Sequence, residues 1–293
     1  MTSLLLLIFS FSLICFHGKS QSVKYQEPEF ECVDIYNQPS LHHPRLQNHQ
    51  IQKTPSDEVL AMLSRETTSQ NLLNDEAIAE FDIPEKGCPK GQVPIHKPRN
   101  FNYTAKPFHS ISNGNRTIGQ HVAGIRKIEA IPWRGASAWI SVYQPKVHKG
   151  QFSMALIGLK TENNCKLNTI QFGWAVDPGL YGDNLPRLTT YWSPNKLHDG
   201  CFNVLCKGFV QVDKRLFLGA PFSNISVLGG AQFHTFLAIN QYVTTDYKNV
   251  DIDSNKVGED IDIRKCYNVN YLDNFGTNQQ TFTFGGPGGL CDV

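Results

Sequence analysis

Few side chains in this sequence are both chemically capable and grouped at a useful spacing. His42, His43 and His49 come nearest to a metal set. Adjacent histidines on an extended chain point to opposite sides, however, and no acidic or cysteine partner stands at ligand spacing. Asp251, Asp253 and Asn255 imitate the opening of a calcium loop. The sixth position, which needs glycine for its sharp turn, is Lys256, and Gly258 comes too late. The acid-rich residues 244–263 therefore read as a solvated, irregular loop. Gly285-Gly286-Pro287-Gly288-Gly289 has the composition of a phosphate cradle, yet it follows a strand-like run and precedes the chain end. No helix N-terminus stands there to supply the field. It reads as a terminal strand and a turn pinned by Cys291. Neither a metal nor a cofactor is expected.

The stretch with the richest chemistry is Leu167 to Trp192, LNTIQFGWAVDPGLYGDNLPRLTTYW. Leu167, Ile170, Phe172, Trp174 and Val176 predict a strand. From Ile170 onward the apolar positions alternate with Gln171, Gly173 and Ala175, so one face should be buried. Asp177-Pro178-Gly179 ends the run, because proline lacks the ladder donor and glycine permits positive φ. Tyr181-Gly182-Asp183 makes a second turn, and Arg187 to Trp192 reads as the next strand. Gln171 falls beside Gly173 on the face opposite Phe172, where bare backbone and nearby aromatics suit a groove. A tryptophan-rich core hairpin explains the same pattern. Glu162 and Asp177 are carboxyls close by in sequence, with nothing that points either at Gln171.

The elements that must position this stretch are strands. Ala138–Tyr143, Phe152–Leu159, Leu167–Val176, Leu188–Trp192, Phe202–Val212 and Phe233–Ile239 are β-like runs separated by turns. Helical periodicity is scarce from about residue 120 onward, so an all-β sandwich or barrel is expected. Upstream, Thr54-Pro55-Ser56-Asp57 reads as a helix start, with Thr54 as cap and Pro55 in the first turn. Val59, Leu60 and Leu63 supply that helix with an apolar stripe. Residues 84–100 have linker composition.

Hydrophobic residues make up 40% of the 293 positions, enough for a real core. Charged residues make up 18% and the net charge is +1, which argues against a nucleic-acid surface. Residues 4–16 form an apolar run too short to span a bilayer, followed by Gly18 and Ser20. This is a secretory signal with cleavage near Ser20, and no other run is long enough for a membrane span. Export agrees with seven cysteines in the mature chain: Cys32, Cys88, Cys165, Cys201, Cys206, Cys266 and Cys291. Sequons at Asn102, Asn115 and Asn224 are candidate glycan sites. A bond between Cys201 and Cys206 would close a tight loop and add little entropic stabilisation.

Several words along the chain resemble those of one family. They are CVDIYNQPSLHHPRLQNHQIQ and KGCPKGQVPI, then GASAWISVYQPKV, GWAVDPGLYGD, TYW, GCFNVLCKGFVQV and FTFGGPGG. Together they resemble the plant neprosin proteins, secreted glutamic endopeptidases that favour cleavage after proline. The resemblance skips about residues 241–262. It implies a signal peptide (1–20), an activation-type segment (21–100) and a catalytic-type domain (101–293). The implied fold is an antiparallel β-sandwich with a groove on one face. It also implies the pairs Cys201–Cys206 and Cys266–Cys291. Cys32–Cys88 is inferred for the N-terminal part, which leaves Cys165 odd.

The family's chemistry uses two glutamates, one to take a proton from water and one, protonated, to polarise the peptide carbonyl. Here the first position is Gln171, in Gln171-Phe172-Gly173-Trp174, and an amide accepts no proton at a useful pH. The second glutamate's segment is absent, as if a block of strands near 241–262 were missing and the sandwich incomplete. The expected function is a secreted homologue that has lost catalysis. Its groove candidates are Trp174, Tyr181, Tyr191 and Trp192, which could stack on proline-containing peptides or cell-wall polymers. The alternatives are an active endopeptidase cleaving after proline, and a truncated gene product with exposed strand edges.

Overall fold

The computed structural model describes residues 29–46, 48–57, 59–61, 64, 77–97, 121–127, 135–163, 166–193, 200–240, 257–261, 268–272 and 281–285. Its strands are β1 (Phe30–Asp34), β2 (Ala77–Ile78), β3 (Gln92–His96), β4 (Ala123–Lys127), β5 (Gly135–Ser141), β6 (Ser153–Asn163) and β7 (Lys166–Val176). They continue with β8 (Arg187–Ser193), β9 (Cys201–Phe202), β10 (Phe233–Asn240), β11 (Val257–Ile261), β12 (Asn268–Leu272) and β13 (Thr281–Gly285). The protein is all-β, and among the described residues every strand pair but one is antiparallel; β2 runs parallel to β10.

Two sheets form the body. One has the order β6-β7-β8-β9 and the other β2-β10-β5. Between them lie Ile140, Val142, Ala155, Trp174, Val176, Leu188 and Leu237, all buried. Each large side chain taken fully out of water contributes about 1.5–3 kcal/mol. Trp174 also ties the layers together, because its indole Nε1 donates to the Ser141 carbonyl at 2.9 Å.

The sandwich is incomplete. Among the described residues the second sheet has three strands, and β2 pairs with β10 only at Phe233 and His234. Beside the rest of β10 an open cleft of about 430 Å³ enters between the layers, lined by Phe172, Leu188, Phe236 and Leu237 and roofed by residues near Val59. β4 pairs with β11 and β12 with β13, as separate two-stranded units.

The structure corrects five readings. The predicted run Phe202–Val212 is a strand only at Cys201–Phe202. Asn203 takes positive φ (51°) and spends its side chain on Thr190 N–H and the Tyr181 hydroxyl, so the ladder stops there. The turn after Asp177 contains a single helical turn, Pro178–Tyr181. The Asp177 carboxylate accepts from Gly179 and Leu180 N–H, and Gly182 closes the turn at φ 80°. The N-terminal helix begins at Asp57 with Ser56, not Thr54, accepting from Val59 N–H at 3.5 Å. Residues 257–261 are strand β11 rather than loop, because β4 offers them a full antiparallel ladder. Finally, the C-terminal half of β7 is covered on both faces, since the helical turn and Phe202 lie over the Ala175 and Tyr191 side, whereas Ile170, on the face expected to be buried, is 36% exposed.

Disulfides join Cys32 to Cys88 and Cys201 to Cys206. The signal peptide (1–20), Cys165, Cys266, Cys291, Asn102, Asn115, Leu63 and the acidic residues 244–256 lie outside the described residues.

Candidate functional site

Gln171 stands in the middle of β7. Its register partners are Gly158 on β6 and Tyr191 on β8. Its side chain crosses Gly158 so closely that a Cβ there would lie 2.9 Å from Gln171 Cγ. Gln171 is only 9% exposed, and its Oε1 is buried with no hydrogen-bond partner among the described residues. Two positions along the same face, Thr169 Oγ1 is in the same condition. No hydrogen bond joins a described carboxylate to this amide. With an amide at 171, the position can neither remove a proton from water nor hold one at mildly acidic pH.

Three of the four expected groove aromatics lie in the interior. Trp174 is 4% exposed between the sheets, and Tyr181 and Tyr191 pack with Leu180, Ala175 and Phe202 in a second cluster. They hold the fold and present no ring for stacking: the opposing sheet covers Trp174, and Tyr181, from the helical turn, packs with Tyr191 and Phe202 on the other face. Trp192 is half-buried, donates from Nε1 to the Asn203 carbonyl at 3.2 Å, and carries Gly208 against its ring. Asn224 is half-buried in the loop before β10, and Ser226 of its sequon exchanges hydrogen bonds with the Phe233 backbone. Asp177, a carboxyl near the motif in sequence, is consumed by capping.

The buried cluster that sequence reading missed centres on Arg187, four residues along β8 from Tyr191 and on the same face. It is 1% exposed. All five of its N–H donors are used. Nε and Nη2 donate to Asp183 Oδ1 and Oδ2, at 3.1 and 2.6 Å. Nη1 and Nη2 donate to Glu29 Oε2 and Oε1, at 2.8 and 2.9 Å. Nη1 also donates to the Gly219 carbonyl at 2.6 Å. Burial by itself would lower the arginine pKa; the hydrogen bonds and charges of Glu29 and Asp183 outweigh it and hold the pKa above its ordinary value. The guanidinium lies 5.5 Å from the Tyr181 ring centre. Two carboxylates thus meet here, but each faces a fixed positive charge.

Tyr181 sits beside this cluster. Burial pushes its phenol up to about 12, against the opposing pull of Thr189, Asn203 and Arg187. Thr189 Oγ1 already donates to the Arg187 carbonyl. The tyrosine therefore donates to Thr189 at 2.6 Å and accepts from Asn203 Nδ2 at 2.9 Å.

Glu29 belongs to an N-terminal unit that docks on the body. β1 and β3 pair as an antiparallel ladder stapled by Cys32–Cys88. His96 and Phe30 pack on Phe217, and Gly219 lies flat under the His96 ring. Farther along, Ala79 enters the main core and the Phe81 ring packs tilted against Phe222, with centroids 4.4 Å apart. Among the described residues no group of three histidines, cysteines or acids is placed to hold a metal, and no helix is long and apolar enough to cross a membrane.

A two-layer β body with a disulfide-stapled N-terminal segment folded onto it defines a class of protein built as segment plus domain. Residues 28–117 match the family model described as Neprosin activation peptide, and residues 149–258 match the one described as Neprosin. The chain belongs to the neprosin family. The domain match runs to residue 258, into the stretch of about 241–262 that the recognisable words skip.

Of the cluster at Arg187, only the Asp183–Arg187 spacing carried a signal in the sequence. Glu29 lies 158 positions from Arg187, a separation that no local pattern bridges.

Proposed function

We propose that this chain is a neprosin homologue that has lost peptide-bond hydrolysis and acts outside the cell by binding. The observation that carries the reading is Gln171: an amide set between Gly158 and Tyr191, with its oxygen buried and no carboxylate bonded to it. Water activation needs a proton acceptor at that place, and an amide is not one. The carboxylates Glu29 and Asp183, which meet among the described residues, are committed to Arg187. For binding, the apolar cleft beside β10 offers Phe172, Leu188 and Phe236 to proline rings, and half-buried Trp192 is the aromatic left for stacking on a peptide or a wall polymer. Signal cleavage near Ser20 and glycans at Asn102, Asn115 and Asn224 complete the proposed extracellular form.

The test is incubation of homogeneous, secreted protein with proline-containing peptides at acid pH, followed by mass spectrometry and calorimetry. Intact peptide with measurable binding is expected. Gln171→Glu should also leave the peptide intact, because no second carboxyl among the described residues bonds to that side chain. Turnover by either protein would overturn the reading.

A further inference from the structure

We propose that the body carries a carboxylate-binding site made by Arg187, Asp183 and the Gly219 carbonyl. The chain's own Glu29 fills it, and it accepts the carboxylate of a peptide when Glu29 is withdrawn. The inference goes beyond the proposed function and does not depend on whether the chain cleaves peptides.

Asp183 and Gly219 fix the guanidinium from two sides and leave one Nη1 and one Nη2 hydrogen pointing outward in parallel. That is the fork geometry that matches a carboxylate in two-point contact. Glu29 answers it with both oxygens, at 2.8 and 2.9 Å. The arginine is 1% exposed while the Glu29 side chain is 25% exposed, so the site opens to solvent on the glutamate's side. Without Glu29, two donors of a buried cation would be left without partners, a condition that strongly favours any carboxylate able to enter. The ring of Tyr181 walls the pocket and excludes water from one flank.

Withdrawal of Glu29 does not require unfolding. It stands one residue before β1, held to the neighbouring strand by Lys97 N–H donating to its carbonyl at 2.8 Å. Cys32, three positions on, keeps the rest of the β1–β3 ladder stapled. Fraying or clipping at the N-terminal edge therefore vacates the pocket and leaves the ladder in place. The glutamate behaves as an intramolecular stand-in for a ligand.

The test uses the full secreted chain carrying Glu29→Ala. Thermal unfolding is followed at neutral pH in sodium acetate and in sodium chloride of equal ionic strength. The variant should gain several degrees in acetate over chloride, and the wild-type chain should not. Three short peptides then separate the sources of the carboxylate: one with a free C-terminus, one amidated, and one amidated with an internal glutamate. Binding of the first alone assigns a C-terminal carboxylate, and binding of the third assigns an acidic side chain. If the variant accumulates only when the growth medium contains acetate, that rescue also supports the site. A folded variant with equal midpoints in both salts, or one that accumulates in neither medium, overturns it.

Discussion

Gln38 grips the backbone of Gln211 with both ends of its amide. Its Oε1 accepts from Gln211 N–H at 2.7 Å, and its Nε2 donates to the Gln211 carbonyl at 3.0 Å and to Ile35 O at 2.8 Å. The side chain, fully buried, thus imitates one rung of a β-ladder between the N-terminal segment and the body. Gln38→Ala leaves those backbone groups buried without partners. It should cost about 2–4 kcal/mol, read as a lower denaturant midpoint.

Gln38→Glu is a sharper version of the same test. A carboxylate would face two carbonyl oxygens, so burial must raise its pKa in the folded state. The sign follows from that direction. Stability is highest when the group is protonated in both states, below the unfolded value of about 4.3, and falls as pH rises through it. The variant should therefore lose ground to wild type between pH 4 and 7, whereas Gln38→Ala should show a constant deficit. Parallel curves for the two variants would remove the amide–backbone rung from the explanation.

The two disulfides should differ in value. Cys32–Cys88 spans 56 positions and Cys201–Cys206 spans 5. Loop-closure entropy gives about 4 kcal/mol for the long span and about 2 kcal/mol for the short one. Serine replacements of each pair, compared by denaturant titration, should rank in that order. The long bridge also anchors the β1–β3 ladder next to Glu29, so its loss should expose residues near Phe217 to hydrogen exchange.

The strands of this fold were legible where alternation was strict. Phe172, Trp174 and Val176 marked one face of β7, and the pairing of that strand with Arg187–Ser193 follows from the turn residues between them. The second buried face was not legible, because Gln171, Gly173 and Ala175 are polar or small and their covering depends on a helical turn capped by Asp177. The expectation that Gln171 stands where the family carries a glutamate came from the words around it alone. Its surroundings, a glycine on one side and a tyrosine on the other, are set by register and needed coordinates. Arg187 was invisible as a centre, since one of its two carboxylates arrives from the other end of the chain.

Two glycines flank the Gln171 region and should respond differently. At Gly173 an added Cβ would run into the Ala155 carbonyl and lie 2.8 Å from Leu156 Cα, both backbone atoms of β6. At Gly158 the closest atom is Gln171 Cγ at 2.9 Å, part of a side chain that can turn aside. Gly173→Ala should cost upwards of about 3 kcal/mol, because the β6–β7 ladder must part, and Gly158→Ala roughly 1 kcal/mol or less. Unfolding midpoints of the two variants test the difference. An equal loss would mean that the ladder tolerates a methyl at the place where the two backbones come closest.

Tyr181 gives the fold an alkaline limit. Its phenol is needed as a donor to Thr189 and is pushed from 10.0 up to about 12 by burial. The unfolded chain releases this proton near pH 10 and the folded chain only near 12. The tyrosine's stabilisation is therefore complete below pH 10 and is lost as pH rises toward 12. A shift of about 2 units corresponds to about 3 kcal/mol. Tyr181→Phe removes the titrating group and should flatten that part of the stability curve. It should also cost about 1–3 kcal/mol at neutral pH, because Asn203 Nδ2 loses its acceptor in a dry site. Chemical denaturation at pH 8, 10 and 11.5 separates the two effects. A variant whose alkaline slope equals that of wild type would place the loss on other groups.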